Sequence, residues 1–148
     1  MPSTYCSLHY HTVFSTKDRY PLITPDWRNN LHAYLGGIVN NLNGVCLAIG
    51  GIEDHVHIFM GLRATHTLAG VMREVKGGSS EWVHDTVGKL GFGWQPGYFG
   101  VTVSPSQIER VKDYILNQEE HHRRKTFEQE YLEMLKLAGI DYDERYVW

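Results

Sequence analysis

Apolar positions recur along the chain with two periods, and together they divide it into short strands and longer helices. Across residues 4–16, Cys6, Leu8 and Tyr10 alternate with Tyr5, Ser7, His9 and His11, in a stretch rich in aromatic and β-branched residues, which predicts a strand. Thr24-Pro25 supplies an N-cap with proline at the first helical position. Trp27, Leu31, Tyr34, Leu35, Ile38 and Leu42 then recur at three- and four-residue spacing up to Asn43-Gly44, as in an amphipathic helix. Val45–Ile52 and His55–Leu62 are apolar and β-rich, and only Glu53-Asp54 separates them, as in a hairpin. Thr67 caps a second helix that turns Leu68, Val71, Met72 and Val75 inward, with Arg73, Lys76, Ser79 and Ser80 on or near the other side. A segment rich in glycine and aromatics follows over residues 88–100, and residues 98–104 predict a fourth strand. Ser104-Pro105 opens a third helix carrying Ile108, Val111, Ile115 and Gln118, and a fourth spans Phe127–Leu137 before Gly139.

The resulting order is strand, helix, strand, strand, helix, strand, then further helices. This is the split βαβ order of an α+β, ferredoxin-like or RRM-like fold: an antiparallel sheet with helices on one face and a C-terminal helix bearing Tyr114. With two helices on one face, the other face of the sheet is expected to be available. A length of 148 residues suits one domain. We read a catalytic core over residues 1–122 and a helical extension over residues 123–148.

Composition narrows the class only slightly. Hydrophobic residues at 42% with 21% charged exclude a disordered chain. Cys6 and Cys46 form no paired motif, so neither a disulfide framework nor a cysteine zinc site is suggested. The opening residues show no basic start followed by an apolar core, and no apolar run is long enough to cross a membrane, so a cytoplasmic protein is expected. The net charge of −3 argues mildly against a nucleic-acid partner, yet the acid excess lies wholly in the last thirty residues, so composition neither supports nor excludes a polyanion.

Candidate chemistry begins at Asp54-His55-Val56-His57-Ile58-Phe59-Met60. The period of two in a strand puts Val56, Ile58 and Met60 on one face and His55, His57 and Phe59 on the other, with the imidazoles roughly 7 Å apart at their Cα atoms. Such a pair either hydrogen-bonds within the sheet or converges on one divalent metal, for which a third ligand is needed. Histidine-triad nucleotide chemistry would place its third histidine where Phe59 stands. A small-phosphoester hydrolase would need carboxylates near the pair, and Asp54, one residue out of phase, is expected at the turn and pointing away. Four residues apart on one helix, Tyr114 and Gln118 offer a phenol and an amide oxygen. Each also has an ordinary reading, as a core-edge aromatic and a surface amide. A phenol with a pKa near about 10 is a poor nucleophile unless a base or a favourable field assists it.

The blocks Tyr10-His11-Thr12-Val13-Phe14-Ser15-Thr16-Lys17-Asp18-Arg19, Asp54-His55-Val56-His57, Lys76-Gly77-Gly78-Ser79-Ser80, Trp94-Gln95-Pro96-Gly97-Tyr98 and Tyr114-Ile115-Leu116-Asn117-Gln118 resemble, in order and spacing, the single-tyrosine HUH transposases. These are the TnpA-type enzymes of single-stranded-DNA insertion sequences and their REP-associated tyrosine transposase relatives. The resemblance implies that His55, His57 and Gln118 hold Mg²⁺ or Mn²⁺ and that Tyr114 is the nucleophile. The implied reaction cleaves and rejoins single-stranded DNA near hairpins through a 5′-phosphotyrosine link. It further implies a homodimer in which one subunit's tyrosine helix can serve the other's histidines. The alternative is a domesticated, non-catalytic hairpin-binding module of the same fold, which would need aromatics on the open sheet face.

DNA contacts are expected from Arg73, Lys76, Ser79 and Ser80 on the second helix and from Lys17 and Arg19 after the first strand. Trp94, Tyr98 and Phe99 either stack on bases or belong to the core. The basic run His121-His122-Arg123-Arg124-Lys125 reads equally as a solvated junction, and residues 126–148 are expected to have a structural or positioning role.

Overall fold

Residues 3–148 are described by a computed structural model. Strand β1 (Leu8–Ser15) is followed by helix α1 (Pro25–Asn41), the hairpin β2 (Val45–Ile52) and β3 (His55–Leu62), and helix α2 (Leu68–Trp82). Strand β4 (Phe99–Thr102), α3 (Ile108–Leu116), the single turn α4 (Gln118–His121) and α5 (Phe127–Leu137) complete the chain. The strands form one antiparallel sheet in the order β2-β3-β1-β4. This is the expected α+β architecture. Strand β1 starts at Leu8 rather than at residue 4 because Leu8 pairs with Leu62, the last residue of β3, and nothing beyond it offers a ladder. The fourth strand is likewise shorter than residues 98–104, since its pairs with β1 run only from Tyr10 to Val13.

One face of the sheet carries Phe14, Val56, Ile58 and Met60, packed against Leu31 and Leu35 of α1 and Val71, Met72 and Val75 of α2. All are essentially inaccessible, and each such side chain contributes roughly 1.5–3 kcal/mol by leaving water. Phe92 and Trp94 join this core edge-to-face, with Trp94 4.7 Å from Phe14 between ring centroids. They therefore pack within the chain rather than offering an aromatic surface.

Register dictates the opposite face: directly paired residues point the same way, so Ser15 with His55, Val13 with His57 and His11 with Phe59 share it. The sequence pattern leaves this face available, but in the structure α3, α4 and α5 close it. Ala48 and Phe59 pack against Ile115 of α3, and Val13 and Phe99 against Phe127, Tyr131 and Leu135 of α5. Gly50 lets α3 approach closely, because a Cβ there would lie 1.8 Å from the Ile115 carbonyl oxygen. Helix α5 is held at its start by a reciprocal capping box, in which Thr126 accepts from the Gln129 backbone and the Gln129 side chain accepts from that of Thr126.

The third predicted helix is broken. Asn117 leaves helical geometry, and its side-chain amide donates to the Asp113 carbonyl at 2.7 Å, competing with the backbone ladder. Tyr114 thus lies in the last turn of α3 while Gln118 begins α4.

Candidate active site

His55 and His57 are wholly buried, and Gln118 and Glu130 nearly so. Strand β3 supplies both histidines, α4 brings Gln118, and His122 follows one turn later on the same side. Helix α5 inserts Glu130 from the apolar stripe made by Phe127, Tyr131 and Leu135. The Nε2 atom of His55 is 3.0 Å from Gln118 Oε1 and 3.4 Å from Glu130 Oε1. His57 Nε2 lies 3.1 Å from Glu130 Oε1, and His122 Nε2 is 2.9 Å from Gln118 Oε1 and 3.2 Å from Glu130 Oε1. Tyr114 donates its hydroxyl to Glu130 Oε2, and its ring centroid is 5.7 Å from that of His57.

Each imidazole is oriented from behind. His55 Nδ1–H donates to Asp54 Oδ1 at 2.8 Å, and His122 Nδ1–H donates to the Lys125 carbonyl at 2.7 Å. His57 Nδ1 is 2.8 Å from Nε2 of His11, so one of the two donates. Outer partners of this kind fix the tautomer that aims Nε2 inward. Asp54 does sit at the turn, as expected, but its carboxylate bends back onto His55 instead of pointing away.

The electrostatics follow from these contacts. Burial alone would lower the pKa of His55, but its hydrogen bonds to Asp54 and Glu130 raise it to about 9. For His57 burial wins and the value falls to about 4, and burial likewise takes His11 down to about 3. Burial opposes ionisation of Glu130, but hydrogen bonds from His122, His55 and His57 hold its carboxyl far below the usual range. Burial and the adjacent Glu130 charge push the Tyr114 phenol well above its ordinary value. The cluster therefore gathers imidazoles and one carboxylate in a buried space, a donor set that suits a divalent metal able to displace the imidazole protons.

The profile of the family described as "Transposase IS200 like" matches residues 4–118. The chain belongs to the IS200-like transposase family. No curated protein matches it. Among solved structures it is similar to a candidate transposase from Deinococcus radiodurans R1, at 24% identity and a TM-score of 0.64, over 80% of this chain and 95% of that one. It is also similar to a REP-associated tyrosine transposase bound to a REP hairpin, at 14% identity and a TM-score of 0.57, over 78% of this chain and 68% of that one. These two likenesses are likenesses of fold.

Within this family member the expected site residues His55, His57, Gln118 and Tyr114 are brought together, whereas the expected DNA-contact residues are scattered. Lys76 Nζ donates to the carbonyls of Gln95 and Gly97 at 2.5 and 2.7 Å and sits 5.6 Å over the Phe14 ring. Ser79 is buried and accepts from Trp94 Nε1 at 2.9 Å, Ser80 is half-buried, and Arg73 and Lys17 are exposed. Arg19 pairs with Glu128 at 3.3 Å and lies 4.4 Å over the Trp148 ring. Phe99 is buried in the core under α5.

Reasoning from the sequence missed His122, Glu130 and the inward turn of Asp54. A signal for Glu130 was present: it stands three residues after Phe127 and one before Tyr131, a carboxylate inside an apolar helical stripe. His122, four residues after Gln118, shares its helical side.

Proposed function

We propose that this chain is a cytoplasmic, metal-dependent DNA strand transferase that cleaves and rejoins single-stranded DNA near hairpins through a 5′-phosphotyrosine intermediate. The observation that carries this reading is the convergence of His55, His57 and Gln118 donors beside the Tyr114 hydroxyl in one buried cluster of a family member. The hairpin enters from a structural relative, a REP-associated tyrosine transposase bound to a REP hairpin.

In the reaction proposed, the Tyr114 oxygen forms a bond to phosphorus and the phosphorus–O3′ bond breaks. The phenol gives up its proton and the departing 3′-oxygen gains one. A second 3′-hydroxyl later reverses the step on the tyrosine–phosphorus bond, so the chemistry needs no external energy source. His55, His57 and Gln118 would hold Mg²⁺ or Mn²⁺, which when bound supplies positive charge that polarises the phosphoryl group. Burial and the adjacent Glu130 charge raise the Tyr114 pKa, and positive charge from a bound cation would ease its ionisation. Tyr114 also lines a cleft of about 340 Å³ with His11, Phe99, Val101 and Met134. Beside Gln118, a second cleft of about 240 Å³ carries the Arg28 guanidinium, a group suited to a phosphate, with the Glu119 carboxylate 3.9 Å from it.

Residues 1–122 form the proposed catalytic core, and residues 123–148 an extension that seats Glu130 against it. Arg73, Lys76, Ser79, Ser80, Lys17 and Arg19 are the proposed DNA contacts, with Lys76 acting by holding the loop around Gln95 and Gly97. We also propose a homodimer. The 5.7 Å separation of the Tyr114 and His57 rings within one chain supports cis chemistry. Mixing Tyr114→Phe and His57→Ala subunits tests this: restored activity would mean exchange of α3 between subunits, and none would mean cis action. A non-catalytic binding module is disfavoured because Phe59 and Phe99 lie buried beneath α3 and α5 instead of forming an open stacking platform.

The deciding experiment is a covalent-adduct assay with single-stranded DNA from the gene's own flanks, labelled 3′ to the cut, with Mn²⁺ or Mg²⁺ against chelator. A metal-dependent adduct that vanishes in Tyr114→Phe is expected. Tight hairpin binding with no adduct under either metal would overturn catalysis in favour of the binding module.

A further inference from the structure

The family profile ends at Gln118, yet two of the donors that crowd the histidine pair lie after it. We infer that His122 and Glu130 are metal ligands in their own right, completing a centre of three imidazoles, one carboxylate and one amide oxygen that selects a first-row transition-metal ion over Mg²⁺. This inference rests on the proposed metal site at His55 and His57 and deepens it.

The geometry carries the argument. An ion with bonds of about 2.0–2.2 Å sets neighbouring donors about 2.8–3.6 Å apart for octahedral to tetrahedral angles. The five recorded separations lie between 2.9 and 3.4 Å, running from His55 to Gln118, Gln118 to His122, His122 to Glu130, and Glu130 to both His57 and His55. The four His and Glu donor atoms all lie within 4.8 Å of one another. These atoms enclose one point instead of lying along a surface.

Proton bookkeeping points the same way. The Nδ1 atoms of His55 and His122 face a carboxylate and a carbonyl, which only accept, so both nitrogens carry hydrogen. Each Nε2 therefore faces the Gln118 and Glu130 oxygens, donating to them while the ring is protonated and turning a lone pair on the same spot once that proton leaves. A metal ion would take the place of those protons and be shared by the nitrogen and oxygen donors alike. A carboxylate on the buried face of α5 and a histidine oriented from behind by the Lys125 carbonyl are costly features that a cation explains.

The donor chemistry then selects among cations. Mg²⁺ prefers oxygen donors and retains its waters, whereas imidazole nitrogens favour first-row transition-metal ions, Co²⁺ and Zn²⁺ more strongly than Mn²⁺. Three neutral imidazoles, one amide and one carboxylate with a dication leave a net charge of about +1, which still attracts a phosphodiester.

The test titrates the full chain, freed of metal by chelator, with Mn²⁺, Co²⁺ and Mg²⁺ by calorimetry, and records the Co²⁺ absorption spectrum. Wild type should bind one Mn²⁺ or Co²⁺ at least about 100-fold more tightly than Mg²⁺. Glu130→Gln and His122→Asn, whose fold is checked by circular dichroism without metal, should each weaken Mn²⁺ binding about 100-fold or more and change the Co²⁺ spectrum. If both variants bind Mn²⁺ and Co²⁺ as wild type does, while His55→Ala and His57→Ala lose the metal, the added ligands are refuted and the proposed function stands. Equal affinity for Mg²⁺ and Mn²⁺ in wild type overturns the selectivity. If His55→Ala and His57→Ala also retain full binding, the metal site itself is misplaced and both readings fall.

Discussion

The two faces of the sheet are built from the same strands and obey different physics. On one, Phe14, Val56, Ile58 and Met60 meet α1 and α2 through non-directional apolar contact. On the other, His11, His55 and His57 meet Gln118, His122 and Glu130 through bonds whose partners and angles matter individually. Apolar packing rewards any residue of suitable volume, so its energy is spread over many side chains. A polar cluster is satisfied only if every member has its partner, so a single change reaches all of them. One face packs through apolar contacts, whereas the other sets its polar cluster among the apolar contacts that hold α3 and α5.

If that division holds, Tyr114→Phe should have the largest effect on the chemistry, eliminating the DNA adduct while leaving hairpin binding close to wild type and lowering the thermal midpoint only through the lost hydrogen bond to Glu130. Loss of binding together with the adduct would show that Tyr114 is part of the fold instead. Ile58→Ala, on the apolar face beside the same histidines, should do the reverse. It is expected to cost about 2–5 kcal/mol in urea unfolding while the folded fraction still forms adduct at a near-normal rate. Gly50→Ala lies between the two, since its new methyl would meet the Ile115 carbonyl and lift α3. A cost of about 1–3 kcal/mol is expected, with adduct formation falling by more than stability alone explains, because Tyr114 moves away from His57. The smallest effect should come from Trp148→Ala, which removes the ring beneath Arg19 and lowers stability by about 0.5–1 kcal/mol, with adduct yield unchanged. A large loss of activity in that variant would place the terminal segment on the DNA path.

Much of the apolar face could be read in the sequence. The alternation of Val56, Ile58 and Met60 and the helical recurrence of Leu31, Leu35, Val71 and Val75 identify the sides that meet. Thr67 and Thr126 open their helices with side-chain caps, as their positions before apolar runs suggest. The polar face was legible only in its strand-borne half. His55 and His57 follow from the period of two, but the covering of that face by α3 and α5 does not, since neither helix announces which surface it seeks. Asn117 illustrates the difficulty: a local side-chain bond breaks the helix that spacing alone would continue to Gln118. Lys76 illustrates another, for a lysine on a polar helix side proves to be bound to two loop carbonyls distant in sequence.

By itself the sequence determined the order of elements, the face on which each histidine lies and the family blocks that single out Tyr114 and Gln118, because period and local chemistry act over a few residues. Only the tertiary structure decided that α5 folds back over the sheet and brings Glu130 to within 3.1 Å of His57. The physical reason is that convergence of donors on a point depends on how separate elements pack in space, and a separation of 73 positions between His57 and Glu130 carries no periodic signal of that meeting.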